Sequence, residues 1–349
     1  MRKILSLFII LILLTGCLNG GQTDKKVLRV FMPSEYIDEN TIYEFEDAFN
    51  VRVITEEFES NEQMYTKLMA GNSYDILIPS DYMIDRLIEE DYLQKIDSSM
   101  IQNLEYVKSD LRNSDYDPNN EYSVPYFFGS VGIVYDKMRV SESQLEDEGW
   151  SIFKNKDYVN DIYFYDSERD AFMIALKALG FSMNTDNLDE IDQAYNWLSD
   201  FSETMDPVFV LDTVIESMLD ANKAMAVMYS GDAAYIMSEN EDLGFFMPNE
   251  GTNIWVDAMV IPKDAREIEL AHEWMNFMLD YDIAMMNSEE VGYSSPVSDV
   301  YDELAGEDGL FYENVAYKPR LDGENDETFS HNEALRQAIS NLWIKVKAK

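Results

Sequence analysis

Trp255 and Asp257 sit two residues apart in the run Ile254-Trp255-Val256-Asp257-Ala258-Met259-Val260-Ile261-Pro262. The run is rich in β-branched and aromatic residues and is stopped by a proline, so it predicts a strand. Alternate residues of a strand share a face, which sets the indole beside the carboxylate. An aromatic plate next to an anion is a seat for an organic cation, through cation–π attraction and charge-assisted hydrogen bonds. The same pair fits equally well as a core tryptophan with an edge aspartate. Two further triplets carry similar groups: Ser34-Glu35-Tyr36 and Ser80-Asp81-Tyr82, each a hydroxyl, a carboxylate and a phenol following a predicted strand. Helix N-capping competes for Ser80 and Asp81. The two tyrosines have no such alternative use.

These residues need a frame that brings them together. Val27 to Met32, Val51 to Ile54 and Asp75 to Pro79 read as strands. Between and after them, Asn40 to Phe49, a segment opened by Ser60-Asn61-Glu62-Gln63 and closed at Gly71, and Asp81 to Glu90 read as helices. This alternation predicts a doubly wound α/β unit, whose ligands lie outside the carboxyl ends of its strands. Val131 to Tyr135 is expected to cross into a second unit. There a strand from Asp161 to Tyr165 ends in Asp166-Ser167-Glu168-Arg169-Asp170, and helices over Phe172 to Leu179, Leu188 to Thr204 and Val214 to Ala221 follow. Ala224 to Tyr229 is a buried strand broken at Ser230-Gly231-Asp232, and Leu243 to Met247 is a shorter one. The run 254–262 returns to the first unit and precedes an Arg266 to Leu279 helix. Asp299 to Thr328 reads as an acidic loop, and the chain ends in a helix through Leu335, Ile339, Leu342 and Val346. The expected fold is therefore α/β, a two-lobed clamshell with each lobe a doubly wound sheet and a cleft at the hinge. The lobes are drawn as 27–132 with 255–300, and 133–254 with 301–349.

Composition narrows the function. Among 349 residues there are 68 acidic side chains against 26 Lys and Arg, a formal net charge of −42. Such a surface repels nucleic acid and concentrates cations, although most of it serves as a solvated exterior. Only two histidines occur; His272 lacks the second histidine of a zinc-protease helix, because Asn276 stands there. No nucleophile elbow, phosphate loop or dinucleotide fingerprint is present, so no enzyme, metal or cofactor is expected. Asp115 to Glu121 looks like a calcium loop but lacks its glycine and its closing glutamate, and is read as a turn. At the N-terminus, Met1-Arg2-Lys3 and the apolar run Ile4 to Leu14 form a signal peptide (1–16). Leu14-Thr15-Gly16-Cys17 resembles a lipobox, making the single cysteine, Cys17, the lipidated anchor of a tether over 17–26.

The chain after this tether resembles the spermidine/putrescine-binding proteins of polyamine ABC importers. The stretches that carry the resemblance are Ser34-Glu35-Tyr36, Phe58 to Glu62 with Met64-Tyr65, Tyr74-Asp75 through Pro79-Ser80, Asp117 to Asn120 with Pro125-Tyr126, Arg169-Asp170, Trp255-Val256-Asp257, Ile261-Pro262 and Gly292-Tyr293. The resemblance implies a monomeric, membrane-anchored extracytoplasmic receptor that hands a polyamine to permease subunits. It implies ligand contacts at Ser34, Glu35, Tyr36, Ser80, Asp81, Tyr82, Asp170, Tyr229, Trp255, Asp257 and Tyr293. Asp257 would hold one ammonium and Glu35 or Asp170 another. Two departures stand out: Pro33 where members carry a tryptophan, and Ser167 where some carry an acid. A clamshell for a sugar, thiamine or iron-type solute is the first competing reading, and a surface hydrolase or adhesin the second.

Overall fold

The protein is described here by a computed structural model covering residues 25–211 and 213–348; the signal-peptide and lipidation readings fall outside those residues. The first lobe begins with β1 (Val27–Pro33), α1 (Glu39–Phe49), β2 (Arg52–Phe58), α2 (Asn61–Met69), β3 (Ile76–Leu77) and α3 (Asp81–Glu89). A stretch of short 3-10 turns leads to the long β4 (Ser123–Asp136), which enters the second lobe. That lobe adds α4 (Glu142–Glu148), β5 (Ile162–Tyr165), α5 (Glu168–Ala178), α6 (Leu188–Met205), β6 (Val208–Val210), α7 (Val214–Leu219), β7 (Met225–Tyr229), α8 (Ser230–Glu239) and β8 (Leu243–Phe246). The chain returns through β9 (Ile254–Val260), α9 (Ile268–Met278), α10 (Tyr281–Val291) and α11 (Ser298–Ala305). It ends in α12 (Glu333–Lys347), packed on α5 and α6.

Strand order is β2-β1-β3-β9-β4-β7-β5-β6, with β8 on β4. Pairs β1–β2, β1–β3, β5–β6 and β5–β7 are parallel, as crossover helices require, whereas β9 and β4 run antiparallel to their neighbours. The spine is β4. Its residues 123–130 pair with β9, 131–135 with β7 and 133–136 with β8, so one strand serves both sheets. All fourteen of its residues are buried, as befits a strand covered on both faces.

Local chemistry explains several boundaries. Ser60 accepts from the Gln63 N–H at 3.2 Å, but the Gln63 side chain reaches back to Glu59 rather than to Ser60, completing the cap one residue early. The calcium-like stretch is a turn: Asp117 accepts from the backbones of Glu121, Tyr122 and Ser123 and from the Ser123 hydroxyl, at 2.8–2.9 Å. His272 is structural, its Nε2 accepting from the Asp97 N–H at 2.8 Å while Nδ1 contacts the Ile268 carbonyl.

Two sequence expectations need correction, and one helix went unread. The break expected at Ser230-Gly231-Asp232 is the first turn of α8, which follows β7 without a loop. The segment expected to be loop from Asp299 onward contains most of α11, its helical face carrying the buried Val300 and Leu304. A helix over 281–291 joins α9 to the late tyrosine segment, and its apolar spacing was masked by Asn and Glu residues.

Candidate functional site

Nine of the eleven proposed contact residues line one cleft of about 590 Å3 between the lobes: Tyr36, Ser80, Asp81, Tyr82, Asp170, Tyr229, Trp255, Asp257 and Tyr293. Ser34 and Glu35 do not. They are exposed at the end of β1, where Glu35 adopts a left-handed φ of 54°. That turn sends Tyr36 inward and leaves its two predecessors outside, so the triplet does not enter as a unit.

The first-lobe wall is built on Asp257. Its Oδ2 accepts a 2.5 Å hydrogen bond from the Tyr36 hydroxyl, and the Ser80 hydroxyl borders the same carboxylate. Its Oδ1 is buried and has no partner within the protein. Burial pushes the carboxyl up to about 6, against the pull of those two hydroxyls. Tyr36 is held by the Tyr126 hydroxyl on its carbonyl (2.9 Å) and by the rings of Phe127 and Tyr293 at 5.3 and 5.5 Å. Asp81 has a different task. Its two oxygens accept from the backbone N–H groups of Tyr82 (2.6 Å) and Val256 (3.0 Å), pinning α3 to β9 beside the seat. Burial raises it to about 8, and the neighbouring Asp257 charge adds to the rise. Ser80 occupies the N-cap position of α3 without a side-chain cap bond; it exchanges hydrogen bonds with Asn61 instead.

The second-lobe wall is built on Asp170. Ser167 caps α5 by accepting from the Asp170 N–H, so the second departure from the family pattern does local structural work. Asp170 Oδ2 accepts from the Tyr229 hydroxyl at 2.9 Å, and its Oδ1 is buried without a partner. Burial raises its pKa. A third orphan acceptor is the Asn253 amide oxygen, just before β9, a cleft residue that sequence reasoning missed.

Between the walls stand the rings. Trp255 lies 5.0 Å from Tyr293 and 6.3 Å from Tyr229, both edge-on. Two glycines make this possible. A Cβ on Gly129 would fall 2.3 Å from the Trp255 ring, and one on Gly231 would fall 1.5 Å from Tyr293. Across the mouth, Arg169 of α5 pairs with Glu62 of α2 at 3.3 Å and lies 3.5 Å over the Tyr82 ring. Neither partner was singled out as a site residue from the sequence, because a cross-lobe pair leaves no local signal. Pro33 lines the cleft in place of the expected plate. His331 ties the far lobe to α3, its backbone N–H donating to the Asp85 carboxylate at 2.8 Å.

A cleft between two α/β lobes joined by a shared strand, walled by unsatisfied carboxylates and rings, defines a two-lobed solute receptor. The chain belongs to the bacterial extracellular solute-binding protein family, whose match spans residues 40–315. It is 30% identical to the spermidine/putrescine-binding periplasmic protein of Escherichia coli (strain K12) over 275 residues, 78% of either chain. Among solved structures, it is similar to the spermidine/putrescine ABC transporter substrate-binding protein PotD of Streptococcus pneumoniae. That likeness has a TM-score of 0.81 at 32% identity and covers 93% of this chain and 99% of that one. The Tp0655 (TpPotD) lipoprotein of Treponema pallidum superposes with a TM-score of 0.82 at 28% identity, covering 93% and 100%. Among the described residues, no helix is long and apolar enough to cross a membrane.

Proposed function

We propose that this protein is an extracytoplasmic receptor that captures a polyamine, putrescine or spermidine, between its lobes and delivers it to an ABC permease. The carrying observation is the pair of buried carboxylates on opposite walls, Asp257 and Asp170, each with one oxygen lacking a partner. A buried acceptor left unsatisfied costs about 1–3 kcal/mol, more when charged, and an ammonium supplies the missing donors. One such group at each end of a methylene chain would satisfy both, while Trp255, Tyr229, Tyr293, Tyr36 and Tyr82 sheathe the chain. Each ring facing an ammonium adds about 0.5–2 kcal/mol. A guest held by both walls stabilises the closed form, the state a permease would recognise. Ser34 and Glu35 are left without a direct contact in this arrangement.

The names of the relatives support the ligand class. The sequence around Cys17 supports a lipid anchor at the outer face of the cytoplasmic membrane; we propose that the folded part acts as a monomer. We draw the lobes with boundaries at 132/133, 254/255 and 300/301; the change of partners along β4, between Ser130 and Val131, supports a boundary close to the first of these.

Titration calorimetry with putrescine, spermidine, a hexose and thiamine tests the ligand class. Saturable heat is expected with the amines alone, and saturation by the hexose or thiamine with silence from the amines refutes it. Trp255→Ala should lower amine affinity and abolish any amine-induced change in tryptophan emission.

A further inference from the structure

The cleft does not end at Asp170. Its rings continue from Trp255 to Tyr229 and on to Tyr165, 5.2 Å further, and Asp166 follows directly at the end of β5. Here the lining passes to Asp166, Trp343 and Lys347, the last two on α12. The Lys347 ammonium donates to Asp166 Oδ1 at 2.6 Å, and the Trp343 indole N–H donates to the same oxygen at 3.0 Å. The ammonium also lies 5.7 Å from the Trp343 ring centroid. Carboxylate and indole are the groups found at Asp257 and Trp255, with one difference: this seat already holds an amine, supplied by the chain itself.

A lysine side chain is four methylenes ending in a primary ammonium, the same chemical unit as the aminobutyl end of a polyamine. Resting on its own helix, it competes at the high effective concentration of a tethered group. On the polyamine reading of the cleft, we infer that Lys347 fills a third ammonium seat at Asp166 and so restricts the guest to two ammonium groups. Lys347 is a specificity-determining residue that selects a diamine over a longer triamine. The pair is only partly buried, with side-chain exposures of 35% and 28%, so an exogenous ammonium could reach Asp166 once the lysine is gone.

The test is calorimetric titration of the full chain with 1,4-diaminobutane and with spermidine, using the wild type, Lys347→Gln, Lys347→Arg and the double variant Lys347→Gln/Asp166→Asn. The wild type should prefer the diamine. Lys347→Gln should raise the spermidine-to-diamine affinity ratio by roughly tenfold or more. Lys347→Arg, which keeps a cation at the seat, should retain the wild-type ratio. The double variant, whose asparagine still accepts from Trp343 but carries no charge, should lose the gain. An unchanged ratio in Lys347→Gln, or a gain that persists without the Asp166 charge, overturns the inference while leaving the polyamine reading intact. Absence of heat with both amines in every variant refutes the polyamine reading itself.

Discussion

Buried aspartates occur in two kinds of place in this molecule, and they are treated oppositely. In the first lobe Asp75 immediately precedes β3 and Asp117 sits in the turn leading to β4, 3% and 4% exposed. Asp75 accepts from the backbone N–H groups of Arg29, Arg266 and Glu267, and Asp117 from three N–H groups and a hydroxyl. Their acceptor capacity is used to knot the chain. Asp170 and Asp257, 3% and 7% exposed, are as deeply placed, yet each accepts a strong bond on one oxygen only. Burial of an acid therefore does not mark a ligand seat. An oxygen left over after the fold has taken its share does, because only an incoming donor can repay its desolvation.

The contrast can be broken from either side, and the effects should fall in size as follows. Asp117→Ala strands four donors, and should lower unfolding free energy by about 3 kcal/mol in a urea melt. Amine stoichiometry at saturation should stay as in the wild type. Asp257→Asn keeps size and an acceptor for Tyr36 but removes the charge. It should weaken polyamine binding at least about tenfold, ~1.4 kcal/mol by calorimetry, with no comparable loss of stability. An unchanged isotherm would sink the role given to this residue.

Proton linkage gives a smaller effect with a definite sign. Burial raises Asp257 to about 6 in the free protein, and a bound ammonium draws it back down. Near pH 6 the free form holds about half a proton there that the complex does not. The Asp257 share of proton release on binding should therefore be larger near pH 6 than near pH 8, read from calorimetry in buffers of different ionisation enthalpy as the difference between wild type and Asp257→Asn. Affinity from this group should fall about twofold between pH 8 and pH 6 and continue to fall below it. Proton uptake on binding would contradict the assignment. Smallest is Arg169→Gln, which removes a partly exposed cross-cleft pair. It should cost about 0.3 kcal/mol, seen as a faster release rate, and salt should diminish the difference between variant and wild type.

Much of the cleft was readable in the sequence because its residues follow strand ends or alternate along one strand. Tyr36, Tyr82, Trp255 and Asp257 obey those short-range rules. Glu35 escaped them: one left-handed residue reverses which side chains of a triplet point inward, and a glutamate at positive φ gives no warning. Asp81 was legible as a polar group near the site but not as a clamp, since its partner Val256 lies 175 positions away. Arg169 and Lys347 eluded reading for the same reason, each being defined by a partner on another part of the chain. The missed start of α8 is different in kind. Ser-Gly-Asp is common both as a turn and as a first helical turn, and the Tyr293 ring packed on Gly231 is what the glycine serves here.

The strand that belongs to both sheets has a mechanical corollary. Rotation of one half against the other is felt as torsion along this continuous strand rather than in a slack linker, and Gly129 and Gly132 bracket the changeover at Ser130 and Val131. Because the Trp255 indole rests directly on Gly129, each twist of that ribbon moves the floor beneath the ring, making this tryptophan a built-in gauge of how far the jaws stand apart.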